Sequence, residues 1–203
     1  MALDFKTMTA SRFQQPRVFE FLFLALLIVL TRISDLFVTK KYSPDLKFEA
    51  NPLISFLKLH WSTFLIFQII LSLGVILCLF YDLFSKKTKY PDDKSLSFSE
   101  FAPIHWFGKK RHPIFFLLAF AKDWDLRIKF LGYAGSRLLI LIGIIATISW
   151  VGLANSEMFI SFYNSSFPLF PYGLVVLGAI LSLYFFLKKE YHKFKDEIFV
   201  SNN

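Results

Sequence analysis

Four stretches of this chain are almost unbroken apolar sequence: Val18–Val38, Trp61–Tyr81, Phe130–Ala154 and Phe170–Leu187. Their hydrophobic positions are clustered rather than periodic, as expected of helices surrounded by lipid rather than of a one-sided soluble helix. About 20 residues rising 1.5 Å each cross the ~30 Å hydrocarbon layer of a bilayer, and each run is near that length. Backbone polar groups in lipid must be satisfied internally, which leaves helices or closed barrels. The short alternating segments of a barrel do not occur. The pattern predicts an all-α polytopic integral membrane protein with four transmembrane helices, at 18–38, 61–81, 130–154 and 170–187.

The polar stretches between the runs set the expected orientation. Residues 83–129 carry ten Lys/Arg, whereas residues 155–169 carry none and only Glu157 is charged. Lys and Arg are retained on the cytoplasmic face. Both termini (1–17 and 188–203) and the basic loop 82–129 are therefore expected in the cytoplasm, with 39–60 and 155–169 outside. Lys40, Lys41 and Lys47 on the outer side oppose this but are outvoted. Trp61, Tyr81, Tyr133, Trp150, Tyr172 and Tyr184 fall near the ends of the runs, where aromatic side chains anchor at interfaces. Asn51-Pro52 is a good helix start, so residues 52–60 are expected to extend the second helix outward.

Composition agrees: 55% of the 203 residues are hydrophobic and the formal net charge is +8. Lys6, Arg12 and Arg17 lead the first run as in a secretory signal, but its length and the lack of a small-residue cleavage site favour an uncleaved anchor. The single cysteine, Cys78, lies within an apolar run and has no partner, so no disulfide framework exists. Zinc-ligand spacing and phosphate-binding glycine loops are absent, and no cofactor is expected.

Charges within spans are expensive and mark candidate sites. Arg32 and Asp35, three apart, share a helix face, and Thr39 lies one turn on. With Glu49, Asn51 and His60 they form a candidate polar or ion site at the outer interface, suited by its oxygens to a hard cation and by its carboxylates and imidazole to proton transfer. The plainer reading is structural: Asp35 neutralises Arg32, Asn51 caps a helix and Glu49 is solvated. Arg137 reads as a snorkelling anchor, with Asp82 as a partner. Gly135, Leu139, Gly143 and Thr147, and likewise Gly178, Ala179 and Ser182, form small-residue stripes that suit close packing, either within a four-helix bundle or between copies of the chain.

In the basic loop, Pro113–Ala121 is too short to span and is expected to lie in the membrane interface. Lys109, Lys110, Arg111 and His112 beside it form a candidate patch for anionic lipid headgroups or an acidic cytoplasmic partner. Direct nucleic-acid binding is disfavoured, since aromatic and basic residues are not interleaved there. His105 and His112, seven apart, are weak as a metal site.

Asp35-Leu-Phe-Val-Thr39 followed by Glu49-Ala-Asn-Pro-Leu53 resembles a D-x-x-x-T…E-x-N-P-L pattern of small uncharacterised multi-span bacterial proteins, which implies no particular activity. The whole layout, with its four spans and basic inner loop, resembles the small membrane accessory proteins encoded beside type VI-B CRISPR RNA-guided ribonucleases. That resemblance implies modulation of an effector rather than catalysis. The expected function is accordingly that of a non-enzymatic accessory or regulatory protein of a bacterial inner membrane, acting on a cytoplasmic partner. An oligomeric pore or ion conductor, and an intramembrane enzyme using Asp35, Glu49 and His60, are the alternatives. Neither a metalloprotease nor a serine-hydrolase motif supports the last.

Overall fold

A computed structural model of the chain describes residues 5–46, 60–85, 88–112, 115–116, 121–166 and 169–201. Among these residues all regular structure is helical: α1 (Phe5–Tyr42), α2 (Trp61–Phe84), α3 (Phe98–Phe107), α4 (Trp124–Asn155), α5 (Glu157–Ser166) and α6 (Leu169–Ser201). Four of them, α1, α2, α4 and α6, are long and apolar enough to cross a membrane. Helix α4 is central: it packs against α1, α2 and α6, and α1 also touches α2.

Burial is inverted relative to a soluble bundle. On α1, Phe19, Leu22, Phe23, Leu26, Leu30, Ile33 and Phe37 follow a helical stripe and are exposed, Phe19 by 71%. The opposite face of the same helix buries Ile28, Arg32, Asp35 and Thr39. Apolar groups on the outside and charged groups within are stable only where the surrounding medium is itself apolar. Contiguous apolar faces of this extent on several helices suit contact with lipid.

Glycine permits the close helix approaches. A Cβ on Gly132 would lie 2.7 Å from the Leu79 backbone nitrogen and closer still to the Cys78 carbonyl, so α2 and α4 meet backbone to backbone there. Gly143 faces Arg32 and Thr31 of α1, Gly135 faces Val75 of α2, and Gly178 of α6 faces Leu141 of α4. Both stripes are thus occupied inside one chain.

The helices are longer than a ~30 Å hydrocarbon layer requires. Helix α6, with 33 residues, is about 50 Å long, and its C-terminal part packs against α3. Residues 82–129, read from sequence as a loop with an interfacial segment, contain α3. It begins at Ser97, whose backbone N–H and hydroxyl both donate to the Glu100 carboxylate at 3.2 and 2.8 Å, and it ends at Gly108 in the left-handed conformation with φ 76°. That S-x-x-E start is a capping box. Burial of Trp106 against Phe130 (5.1 Å, edge-on) and of Phe101 against Phe194 (4.9 Å, stacked) holds α3 on α4 and α6. Of the stretch 113–121, only Phe115, Phe116 and Ala121 are described; Ala121 is buried in the same apolar cluster, Phe116 packs against it, and Phe115 is exposed. On the opposite side, the stretch 155–169 holds α5, whose Phe159 ring lies against Gly152 of α4.

Candidate functional site

On the side away from α3, three of the six residues expected to form an outer polar site come together. Arg32 Nη1 lies 3.3 Å from Asp35 Oδ2, and Thr39 Oγ1 donates to Asp35 Oδ1 at 3.5 Å. Arg32 Nη2 also donates to the Leu139 carbonyl of α4 at 2.9 Å. Arg32 Nε is buried with no hydrogen-bond partner among the described residues. The trio is closed off by protein, and each side chain in it is buried. His60 sits instead at the N-cap of α2 with extended backbone, exposed and making no cap hydrogen bond. No described hydrogen bond or ion pair joins it to the trio. Glu49, Asn51 and the expected extension 52–60 (apart from His60) lie outside the described residues.

Toward the α3 side, two ion pairs tie distant helices together. Asp82 of α2 accepts from Lys189 of α6 at 2.8 Å, and Glu20 of α1 meets Arg137 of α4 at 3.4 Å. Sequence spacing had suggested Asp82 as the partner of Arg137; the structure corrects this. Asp82 is held by Lys189, and the Arg137 guanidinium stacks on the Tyr133 ring at 3.7 Å while reaching Glu20. Tyr133 also receives Lys189, 4.9 Å from its ring centre.

The densest polar cluster was not anticipated. His105 of α3 is 1% exposed, stacks on Phe101 with 4.8 Å between ring centres, and has no hydrogen-bond partner on either ring nitrogen among the described residues. Beside it, fully buried Glu190 accepts from the Tyr90 hydroxyl at 3.1 Å and from Lys193 Nζ at 2.7 Å. A little further out, Lys129 Nζ donates to Asp125 at 2.8 Å and to Thr88 at 3.0 Å, and the Tyr81 hydroxyl donates to the other Asp125 oxygen at 2.8 Å. Four stretches of the chain, 81–90, 101–105, 125–129 and 190–193, supply these groups, and no local motif announces them. The helix-start signature at Ser97–Glu100 is the local signal that could have located the element carrying His105.

Burial pushes the His105 imidazole from its ordinary 6.5 down to about 4. Glu190 and Asp123 oppose that fall, whereas Lys122 and Lys129 add to it. Tyr90 is raised by burial first and then by Glu190. The folded state therefore holds His105 neutral between pH 4 and 6.5, where the unfolded chain protonates it. Stability from this group is complete above pH 6.5 and is lost as pH falls toward 4. The loss is at most about 3 kcal/mol, taking 1.36 kcal/mol per unit. Amide hydrogen exchange of α3 should accelerate across that window in the wild type and much less in His105→Phe; identical pH profiles would remove His105 from the account.

Lys109, Lys110, Arg111 and His112 follow Gly108 at the end of α3 and are all exposed. Lys110 is 3.6 Å from Glu100, and Arg111 lies 5.4 Å from the ring centres of both Phe107 and Phe115. His105 and His112 thus occupy opposite environments, and no group of three or more His, Cys, Asp or Glu among the described residues could hold a metal ion.

Four helices long and apolar enough to span, with apolar faces outward, fit the class of multi-pass α-helical membrane proteins, here with α3 packed at one end. The step from class to family has no match behind it: no protein-family model, curated protein or solved structure matches the chain.

Proposed function

We propose that this chain is a non-enzymatic accessory or regulatory protein of a bacterial inner membrane, acting on a cytoplasmic partner through the α3 cap. One observation carries the reading. The exposed basic tip Lys109–His112 directly follows the C-cap of a helix whose other face is buried against α4 and α6, so its charges start from a packed anchor. Pre-organised charge binds an acidic surface with less ordering entropy to lose. Retention of Lys and Arg inside puts α3 and both termini in the cytoplasm on this reading. The resemblance in layout makes an RNA-guided ribonuclease the first partner to test.

Pore formation loses one of its supports, because the small-residue stripes pack helices of the same chain. Among the described residues no hydrogen bond or ion pair joins His60 to the Arg32–Asp35–Thr39 trio, so the catalytic reading gains no support from geometry.

The decisive variant is Lys109→Glu/Lys110→Glu/Arg111→Glu, which alters only exposed side chains and leaves the α3 packing intact. Its membrane level should match the wild type while co-purification with the cytoplasmic effector, and the effector's modulation in cells, fall about ten-fold or more. Normal membrane levels with unchanged modulation would remove the patch from the mechanism. Independently, a reporter fused near Lys94 should be inaccessible from the exterior; an accessible one would invert the arrangement.

A further inference from the structure

Between the end of α2 and the start of α4, beneath α3, lies a cavity of about 650 Å³. That size falls in the roughly 300–1,000 Å³ range of small-ligand sites. Phe84 and Leu126 form its apolar wall, and Lys89, His105, Asp123 and Asp125 supply its charged and polar groups. Tyr81, also on the wall, ends the apolar run of α2, while Trp124 opens α4 and is 72% exposed. The cavity therefore sits at the depth of lipid headgroups, beside the surfaces that face acyl chains.

Its polar lining has mixed sign. Asp125 already accepts from Tyr81 and Lys129, yet a carboxylate has about four acceptor sites. Asp123 meets Lys122 at 3.8 Å, and its own side chain stays more than half exposed. His105 is buried against the cavity, and neither ring nitrogen has a hydrogen-bond partner among the described residues. A neutral imidazole has one N–H to give, and leaving it unmade costs about 1–3 kcal/mol. A purely anionic ligand would meet two carboxylates. A bare cation would meet Lys89 and lacks a ligand cluster.

We propose that this cavity is a headgroup site for a zwitterionic phospholipid carrying a primary ammonium, of the phosphoethanolamine type. Its phosphodiester oxygens accept from Lys89 and from the His105 ring N–H. Its ammonium donates to Asp123 and Asp125, and its acyl chains run along Phe84 and the exposed face of α2. This assignment is independent of any cytoplasmic partner.

The test exchanges the detergent-solubilised full chain against an equimolar mixture of phosphatidylethanolamine, phosphatidylcholine and phosphatidylglycerol with matched acyl chains, read by native mass spectrometry. Phosphatidylethanolamine should be retained about ten-fold over each of the others, the equivalent of one charge-assisted hydrogen bond. Asp123→Asn, at a half-exposed position, and His105→Phe, which keeps the ring stack, should each remove most of that preference. Equal retention of phosphatidylcholine would overturn the role of the ammonium, and preference for phosphatidylglycerol would overturn the role of the carboxylates. Displacement by soluble phosphoethanolamine with no lipid preference would overturn the membrane source. Should His105→Phe fail to fold, Asp123→Asn decides alone, and a wild-type preference in that variant overturns the site.

Discussion

Gly132→Ala is expected to be among the most destabilising single-methyl additions in this chain, whereas Gly74→Ala should be neutral or mildly stabilising. Both glycines lie within spans, and alanine is intrinsically the better helix former by about 1 kcal/mol. Any loss at Gly132 must therefore come from what the methyl meets. It meets backbone: the Cys78 carbonyl and, at 2.7 Å, the Leu79 nitrogen. Backbone cannot rotate aside as a side chain can, so α2 and α4 must separate along their contact. Overpacking a tight interior costs about 1–3 kcal/mol and occasionally more, and here the upper end applies. Against a total stability of about 5–15 kcal/mol that is a large fraction. Among the described residues nothing lies within 4 Å of a Cβ on Gly74, so the same change there meets open space. Thermal unfolding in detergent and folded yield by fluorescence-detected size exclusion would measure the pair. A Gly132→Ala protein within about 0.5 kcal/mol of wild type, the usual range for surface changes, would show that the close approach of α2 and α4 does not govern stability.

The contrast between these glycines shows what was readable in the sequence and what was not. The four spans were legible because lipid imposes a one-dimensional requirement: enough consecutive apolar residues to cross it. Hydropathy stops at the water boundary, so it missed that α1 starts at Phe5 and α6 continues to Ser201. Those extensions are helical because each turn beyond the membrane still adds one backbone hydrogen bond per residue fixed. Helix α3 was overlooked although Ser97-x-x-Glu100 is a legible start. Pro103 within it and the apolar Pro113–Ala121 beyond it drew the pattern elsewhere.

Pairings divide by sequence distance. Arg32, Asp35 and Thr39 could be placed together from spacings of three and four residues. Glu20–Arg137 and Asp82–Lys189 are 117 and 107 residues apart, and which helices meet at which height is a product of packing. The stripe at Gly135 and Gly143 showed that something would approach closely without saying what. The partner proved to be the same chain, with Arg32 itself against Gly143.

That last contact makes Asp35 the second decisive position. Asp35→Leu should cost about 3–5 kcal/mol, the usual consequence of stripping one partner from a buried ion pair. Among the described residues the Arg32 guanidinium would keep its bond to the Leu139 carbonyl at 2.9 Å, buried against Gly143. Arg32→Met should cost visibly less. A lone carboxyl can take up a proton and sit neutral, whereas a guanidinium cannot shed one. The double variant Arg32→Met/Asp35→Leu removes both charges and should recover most of the loss, with a coupling of about 2 kcal/mol or more. Unfolding of all three variants in one detergent measures the cycle, and strictly additive losses would mean that the 3.3 Å pair contributes nothing. The same double variant separates the two roles open to this trio. On the proposed regulatory function, a double variant that folds and leaves an effector's modulation unchanged would mean that Arg32 and Asp35 serve to neutralise each other within the bundle. If it folds and is silent, a charge there has a function of its own, and the end of the molecule away from α3 becomes the place to seek it.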